Sequence, residues 1–203
     1  MVFKDITQNE ILIWKHIETE TVEDYKQLLH YLVFRGYTIN AIITDGFKGL
    51  QKAFKAYPMQ LCQFHQRKTI NKYLTRNPKL DLAIDLQKIM RNLTTTTEEK
   101  FTKKLDEWYA KYKDTLLEKS TSLTTKKTSY THPKIVSAYK SLRRNIPYLF
   151  TYKKYPVFNI NNTTNAIDGG VFSPMKKLMN IHTGFSKSLK LKIVDFYLVY
   201  YHK

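Results

Sequence analysis

The chain has 203 residues, 42% of them hydrophobic, with 34 Lys and Arg against 17 Asp and Glu for a formal net charge of +17. That apolar content is enough to build a core, which excludes a disordered tail, and no stretch approaches the roughly 20 apolar residues of a membrane span. Cys62 is the one cysteine, so an internal disulfide is excluded and no partner cysteine exists for a zinc knuckle.

The start, Met1-Val2-Phe3-Lys4-Asp5, lacks the apolar run of a signal peptide, so the expected location is intracellular, in the cytoplasm, with no membrane partner. Charge is unevenly placed. Residues 1 to 60 carry seven Lys or Arg against seven Asp or Glu, whereas residues 61 to 203 carry 27 against 10. The first part reads as scaffold and the remainder as a surface that displaces counterions from a phosphate backbone. A lysine-rich, ribosome-associated chain would carry the same excess, and charge alone does not separate the two.

In chain order, residues 1 to 5 and 10 to 17 read as a strand hairpin. Thr21 with Asp24 is a capping signal for a helix through Val22, Tyr25, Leu28, Leu29 and Leu32 that ends at Gly36. A strand at Ile39 to Thr44 follows, and strand, helix, strand of this length predicts a parallel crossover and one mixed sheet. A helix over Leu50, Ala53 and Phe54 stops at Pro58. Met59 to Lys68 then passes from apolar to basic within a few residues.

From about 80 to 150 the pattern is helical. Leu82, Leu86, Ile89 and Leu93 recur at helical spacing, as do Phe101, Leu105, Trp108 and Tyr112 behind a Thr-rich cap at Thr94 to Thr97. Lys119 to Lys127 is polar and predicts an exposed loop before a helix near Lys134 to Arg144. The last helix, Ser186 to Tyr201, places Leu189, Ile193, Phe196, Tyr197 and Tyr200 on one face. The domain reading is a core of residues 1–77 and 151–203 interrupted by a helical insertion, 78–150.

Two acids stand in settings that suit metal ions facing phosphates. Asp45 follows the apolar run Ala41-Ile42-Ile43 and precedes Gly46, so its carboxylate emerges where the backbone leaves the sheet. In open α/β sheets, ligands gather at such strand ends. Asp168 lies in the run Asn162-Thr163-Thr164-Asn165-Ala166-Ile167-Asp168-Gly169-Gly170. Asn165 orients Asp168, contacts a phosphate or caps the following helix. Cys62 reads as a small buried hydrophobe, and His65 equally as its polar neighbour or as a contact to DNA. Arg67, Lys68, Lys176, Lys177, Lys187, Lys190 and Lys192 are candidate phosphate contacts, each singly as well explained as a solvated surface residue. Trp108 and Tyr112 read as core. His182, before Gly184, reads as a helix-ending turn, with a DNA contact second. Asp5 reads as a solvated turn residue.

Asp45-Gly46-Phe47-Lys48-Gly49-Leu50, then Gln60-Leu61-Cys62-Gln63-Phe64-His65-Gln66, Tyr130-Thr131-His132, Ser141-Leu142-Arg143-Arg144-Asn145, the run ending Ile167-Asp168-Gly169, and His182-Thr183-Gly184-Phe185-Ser186 together resemble the catalytic region of mutator-type insertion-sequence transposases. Each string is common by itself; the ordered set is specific. The resemblance implies an α/β fold with a ribonuclease-H-like mixed sheet, here lacking its first strand, and an all-helical insertion. It also implies a three-carboxylate site holding Mg or Mn, two hard cations that activate a water or 3′-hydroxyl and stabilise the leaving oxygen.

By that resemblance Asp45 is the second acid and Asp168 the third, where many relatives have Glu. The first acid belongs to a strand preceding the hairpin and is absent; Asp5, the one early aspartate near a strand end, is a second choice for its place behind its reading as a solvated turn residue. The expectation is therefore a truncated DNA transposase that keeps its fold and DNA affinity without catalysis by the chain alone. A non-catalytic DNA-binding remnant that modulates a full-length transposase is the alternative, and a nuclease on other nucleic acids a third. The implied partners are the element's DNA ends and target, with a homo-oligomer or a full-length transposase by analogy.

Overall fold

The opening hairpin joins β1 (Val2–Asp5) to β2 (Glu10–Trp14), with Val2 opposite Trp14 and Asp5 opposite Glu10. The structure, a computed structural model, describes residues 1–121, 124, 126–181 and 183–201. Phe3 pairs with Ile13 and Lys4 with Ile11, so Leu12 is the extra residue of a bulge. Asp5 closes the turn by accepting from the amides of Thr7 at 2.7 Å and Gln8 at 3.1 Å.

Helix α1 (Val22–Phe34) begins at Thr21, whose hydroxyl accepts from the Asp24 amide at 3.2 Å, and it buries Leu28, Leu29 and Leu32 along one stripe. Next come β3 (Ile42–Thr44), α2 (Leu50–Ala53) and β4 (Met59–Leu61), with β4 parallel to β3. The single mixed sheet expected from the sequence does not form. β1–β2 and β3–β4 are separate ladders, and the parallel pairing runs across α2. Strand β4 escaped the sequence reading because Met59, Gln60 and Leu61 are all buried and show no alternation. Gln60 is tolerated there because its amide donates to Leu149 O at 3.0 Å and accepts from the Tyr152 amide at 2.9 Å.

The main core is helical. It is built by α3 (Gln63–Leu74), α4 (Asp81–Arg91), α5 (Glu98–Leu117) and α6 (Pro133–Leu149), followed by the short α7 (Thr151–Lys154). Leu86, Leu93, Leu105 and Leu142 are fully buried, and Leu61, Ile70 and Leu74 join them. Helix α3 thus shares its buried face with the helices of 78–150. Thr97 caps α5 as the Thr-rich run predicts. The stretch expected to be an exposed loop in an all-helical insertion instead contains a hairpin, β5 (Lys119–Thr121) with β6 (Thr128–Tyr130). Lys, Ser and Thr exposed on both faces leave no apolar alternation to read.

Helices α4 and α5 are clamped by Asp85, which accepts from Tyr112 Oη at 2.7 Å, Lys111 Nζ at 3.0 Å and Lys88 Nζ at 3.1 Å. The Tyr112 hydroxyl, then the two ammonium groups, hold its carboxyl well below the usual carboxylate range. Because the folded value is depressed, the clamp stabilises fully above the unfolded value of ~3.9 and is lost as pH falls through the folded value. Asp85→Asn is expected to remove about 1 kcal/mol at neutral pH, screened by solvent, and to flatten the acid limb of stability. Urea unfolding at pH 7 and pH 3 checks this; an unchanged difference between the two pH values would contradict it.

The remainder is a 3₁₀ turn (Pro156–Phe158), α8 (Asn165–Ile167), a π-turn (Asp168–Phe172), α9 (Ser173–Ile181) and α10 (Lys187–Val199). Trp14 Nε1 donates to Asp195 at 2.7 Å and ties α10 to the hairpin. His182 lies outside the described residues. Among the described residues no helix is long and apolar enough to cross a membrane.

Candidate functional site

Asp45 leaves the end of β3, which is pinned to β4 by the Ile42 amide donating to Pro58 O at 2.9 Å and the Cys62 amide to Thr44 O at 2.8 Å. The turn beyond it uses Gly46 at φ +105° and Gly49 at φ +93°, left-handed positions that glycine alone adopts freely. At Gly49 a Cβ would also stand 2.9 Å from Val22 Cγ2, so the turn packs directly on α1. Asp45 is exposed, and its Oδ1 accepts from the Phe47 amide at 3.3 Å. The carboxylate therefore faces solvent at a rigid strand end.

Asp168 is delivered from the far end of the chain by a loop stitched to the start of α3. The Gln63 amide donates to Asn162 O at 2.9 Å, Asn162 Nδ2 to Gln63 Oε1 at 3.2 Å, and the Thr164 amide to Cys62 Sγ at 3.3 Å. Thr164 Oγ1 then donates to Asp168 Oδ2 at 2.5 Å and lies 3.3 Å from His65 Nδ1, while His65 Nδ1 is 4.0 Å from the same carboxylate oxygen. Cys62 and Thr164 are buried, and Asp168 is about half exposed at 47%. Buried groups thus orient a carboxylate whose open side remains available to a ligand.

Asp45 and Asp168 line one cavity of about 390 Å³. Their oxygen donors are the type that Mg²⁺ and Mn²⁺ take. In number they fall short: among the described residues no group of three or more His, Cys, Asp or Glu side chains is placed to hold a metal ion. The donor set among the described residues therefore fits such ions in kind but does not make a complete metal centre.

The candidate DNA contacts divide by location. His65 on α3 turns toward Asp168 and Thr164, so it serves the carboxylate. Arg67 is partly buried with Nε lacking a hydrogen-bond partner, and Lys68 beside it is exposed. Asn165 is the first residue of α8, and the cap position falls to Thr164, which corrects the capping reading of Asn165. Lys176 and Lys177 are exposed on α9. On α10, Lys187 lies 3.5 Å from Glu18, and Lys190 Nζ donates to Thr183 O at 3.2 Å.

Thr164, Asn162 and Gln63 were not singled out by the sequence reading. Two signals existed. Thr164 stands four residues before Asp168, the separation at which side chains meet on a helical turn, and Gln60 and Gln63 interrupt an otherwise apolar segment.

A family model described as "Transposase, Mutator family" matches residues 5–132, well over half of the chain. The matched span includes Asp45, Cys62 and His65 and ends before Asp168. No curated protein and no solved structure matches the chain.

Proposed function

The chain belongs to the Mutator family of transposases, and from that premise we propose that it is a DNA-engaging part of a transposition apparatus in which Asp45 and Asp168 supply two carboxylates for Mg²⁺ or Mn²⁺. Support comes from a single observation: two acids far apart in sequence open on the same cavity, one at a strand end and the other held by Thr164 and His65. When bound, the metal would activate a water or 3′-hydroxyl for attack on a DNA phosphate. The residues' own part is orientation: Thr164 fixes one oxygen of Asp168, and the Gly46–Gly49 turn fixes the backbone after Asp45. The two ladders and the helices around them are read as pieces of a ribonuclease-H-like sheet.

Asp5 and Glu20 also line the cavity, but among the described residues no third His, Cys, Asp or Glu is placed with Asp45 and Asp168 to hold a metal ion, so the chain by itself binds DNA without cleaving it, and strand transfer requires a further acidic group. The same shortfall favours a second reading, a non-catalytic DNA-binding partner of a full-length transposase. Manganese titration by calorimetry, with DNA binding measured in parallel, tests the site. Weak Mn²⁺ binding is expected in the wild type, several-fold weaker in Asp45→Ala and Asp168→Ala, with DNA affinity little changed. Identical Mn²⁺ affinity in all three proteins would remove the assignment.

A further inference from the structure

Asp168 opens the π-turn, a wide turn that interrupts the ordinary i→i+4 ladder between α8 and α9. Other elements supply donors to the main chain on either side of it. Lys4 of β1 donates from Nζ to Ala166 O at 3.3 Å, two residues before the carboxylate, and to Tyr201 Oη at 3.0 Å. Tyr197 of α10 donates from Oη to Val171 O at 3.2 Å, three residues after it. The adjoining glycines leave room for these contacts. A Cβ at Gly170 would stand 3.1 Å from Tyr201 Oη, and one at Gly169 would stand 2.7 Å from Asn165 Oδ1.

The donors are themselves held in place. The Lys4 ammonium stands 4.4 Å from the Tyr201 ring centroid, and the rings of Tyr197 and Tyr201 meet edge to face at 5.9 Å. Besides the bond from Trp14, Asp195 of α10 has His16 Nε2 at 2.6 Å from the same oxygen, so the helix is fastened to the hairpin that carries Lys4. Packing α10 on the turn would be served by apolar side chains alone. Polar tips from two elements that end at the main chain of one short turn also fix its position. We infer that Lys4, Tyr197 and Tyr201 are positioning residues, a clasp separate from the Thr164–His65 bracket that fixes the main chain of the Asp168 turn and so sets where its carboxylate meets a metal ion. Thr164 and His65 orient the side chain, and the clasp holds the backbone from which it springs. A shift of ~1 Å in such a backbone is enough to spoil a ligand set. The inference rests on the metal-binding reading of Asp45 and Asp168.

Two measurements on the full chain separate the clasp from the metal reading. Amide hydrogen exchange needs no metal. The Ile167 and Asp168 amides, which donate to Thr164 O at 2.9 and 3.0 Å, should exchange about tenfold faster in Lys4→Met and in Tyr201→Phe, while the Cys62 amide keeps its wild-type rate. Manganese titration then reads the consequence. Lys4→Met should weaken Mn²⁺ binding several-fold, and Lys4→Arg, which can still donate to both oxygens, should restore most of it. In an Asp168→Ala background, Lys4→Met should change nothing, because the carboxylate it positions is gone. A residue that only supported the fold would weaken both backgrounds alike and would quicken Cys62 exchange as well.

Unchanged exchange of Ile167 and Asp168 in both variants would overturn the clasp. So would an equal loss of Mn²⁺ affinity in the two backgrounds, a loss in Lys4→Arg as large as in Lys4→Met, or no loss in Lys4→Met where Asp168→Ala shows one. Faster exchange together with identical Mn²⁺ affinity in the wild type and Asp168→Ala would remove the metal reading instead, leaving the clasp as what holds the turn.

Discussion

DNA affinity of this chain should fall by about 10³- to 10⁵-fold between 50 and 200 mM salt if six to ten phosphates are neutralised in the complex. The expectation comes from where the charge sits. Residues 61 to 203 hold 27 Lys or Arg against 10 Asp or Glu, while the β1–β4 region is balanced. Exposed lysines such as Lys68, Lys176 and Lys177 lie on α3 and α9, the elements that flank the Thr164–Asp168 turn. Counterion release makes the logarithm of the binding constant linear in the logarithm of salt, so fluorescence anisotropy of a labelled duplex across that range gives the phosphate count directly. A flat profile would argue against the basic surface as the DNA-binding face. Lys176→Glu combined with Lys177→Glu should reduce the slope as well as the affinity.

Trp108→Ala should lower stability by about 3–5 kcal/mol. The indole is 4% exposed, packs near Tyr112 and Tyr139 with ring centroids 5.8 and 5.6 Å away, and donates from Nε1 to Leu82 O at 2.9 Å. Truncation leaves a cavity and a carbonyl with one partner fewer. That loss is a large fraction of the 5–15 kcal/mol that holds an ordinary domain together. The effect should reach the candidate site, because the same core includes Ile70 and Leu74 of α3, the helix that carries His65. Urea unfolding should show a lower midpoint with an unchanged slope. A loss below about 1 kcal/mol would mean that the helices repack around the gap.

The helical half of the molecule was legible in the sequence. Leu82, Leu86, Phe101, Leu105 and Trp108 recur at helical spacing, and each is buried. The caps at Thr21 and Thr97 were equally plain, because an N-cap is a local contact between a hydroxyl and an amide three residues on. Strand β4 and the β5–β6 hairpin were not legible. A strand buried on both faces and a hairpin exposed on both faces lack the alternation that marks a half-buried strand.

At the candidate site, Asp45 could be placed from the apolar run and glycine around it, since a strand end followed by a left-handed turn is a local property. The setting of Asp168 could not. Its Thr164–His65 bracket depends on a loop near residue 162 meeting the start of α3 about a hundred residues earlier, through contacts such as Thr164 with Cys62.

The sequence alone determined helices α1, α2, α4, α5, α6 and α10, the caps at Thr21 and Thr97, the uneven charge and the family signature, because each is carried by neighbours along the chain or by ordered short strings; α3 and α9 carried no such local signal. Tertiary structure alone decided that Asp45 and Asp168 share a cavity, that buried glutamines and Thr164 hold the site, and that β1–β2 and β3–β4 form separate ladders. Those outcomes rest on pairings between distant segments, and no local pattern encodes which strands pair.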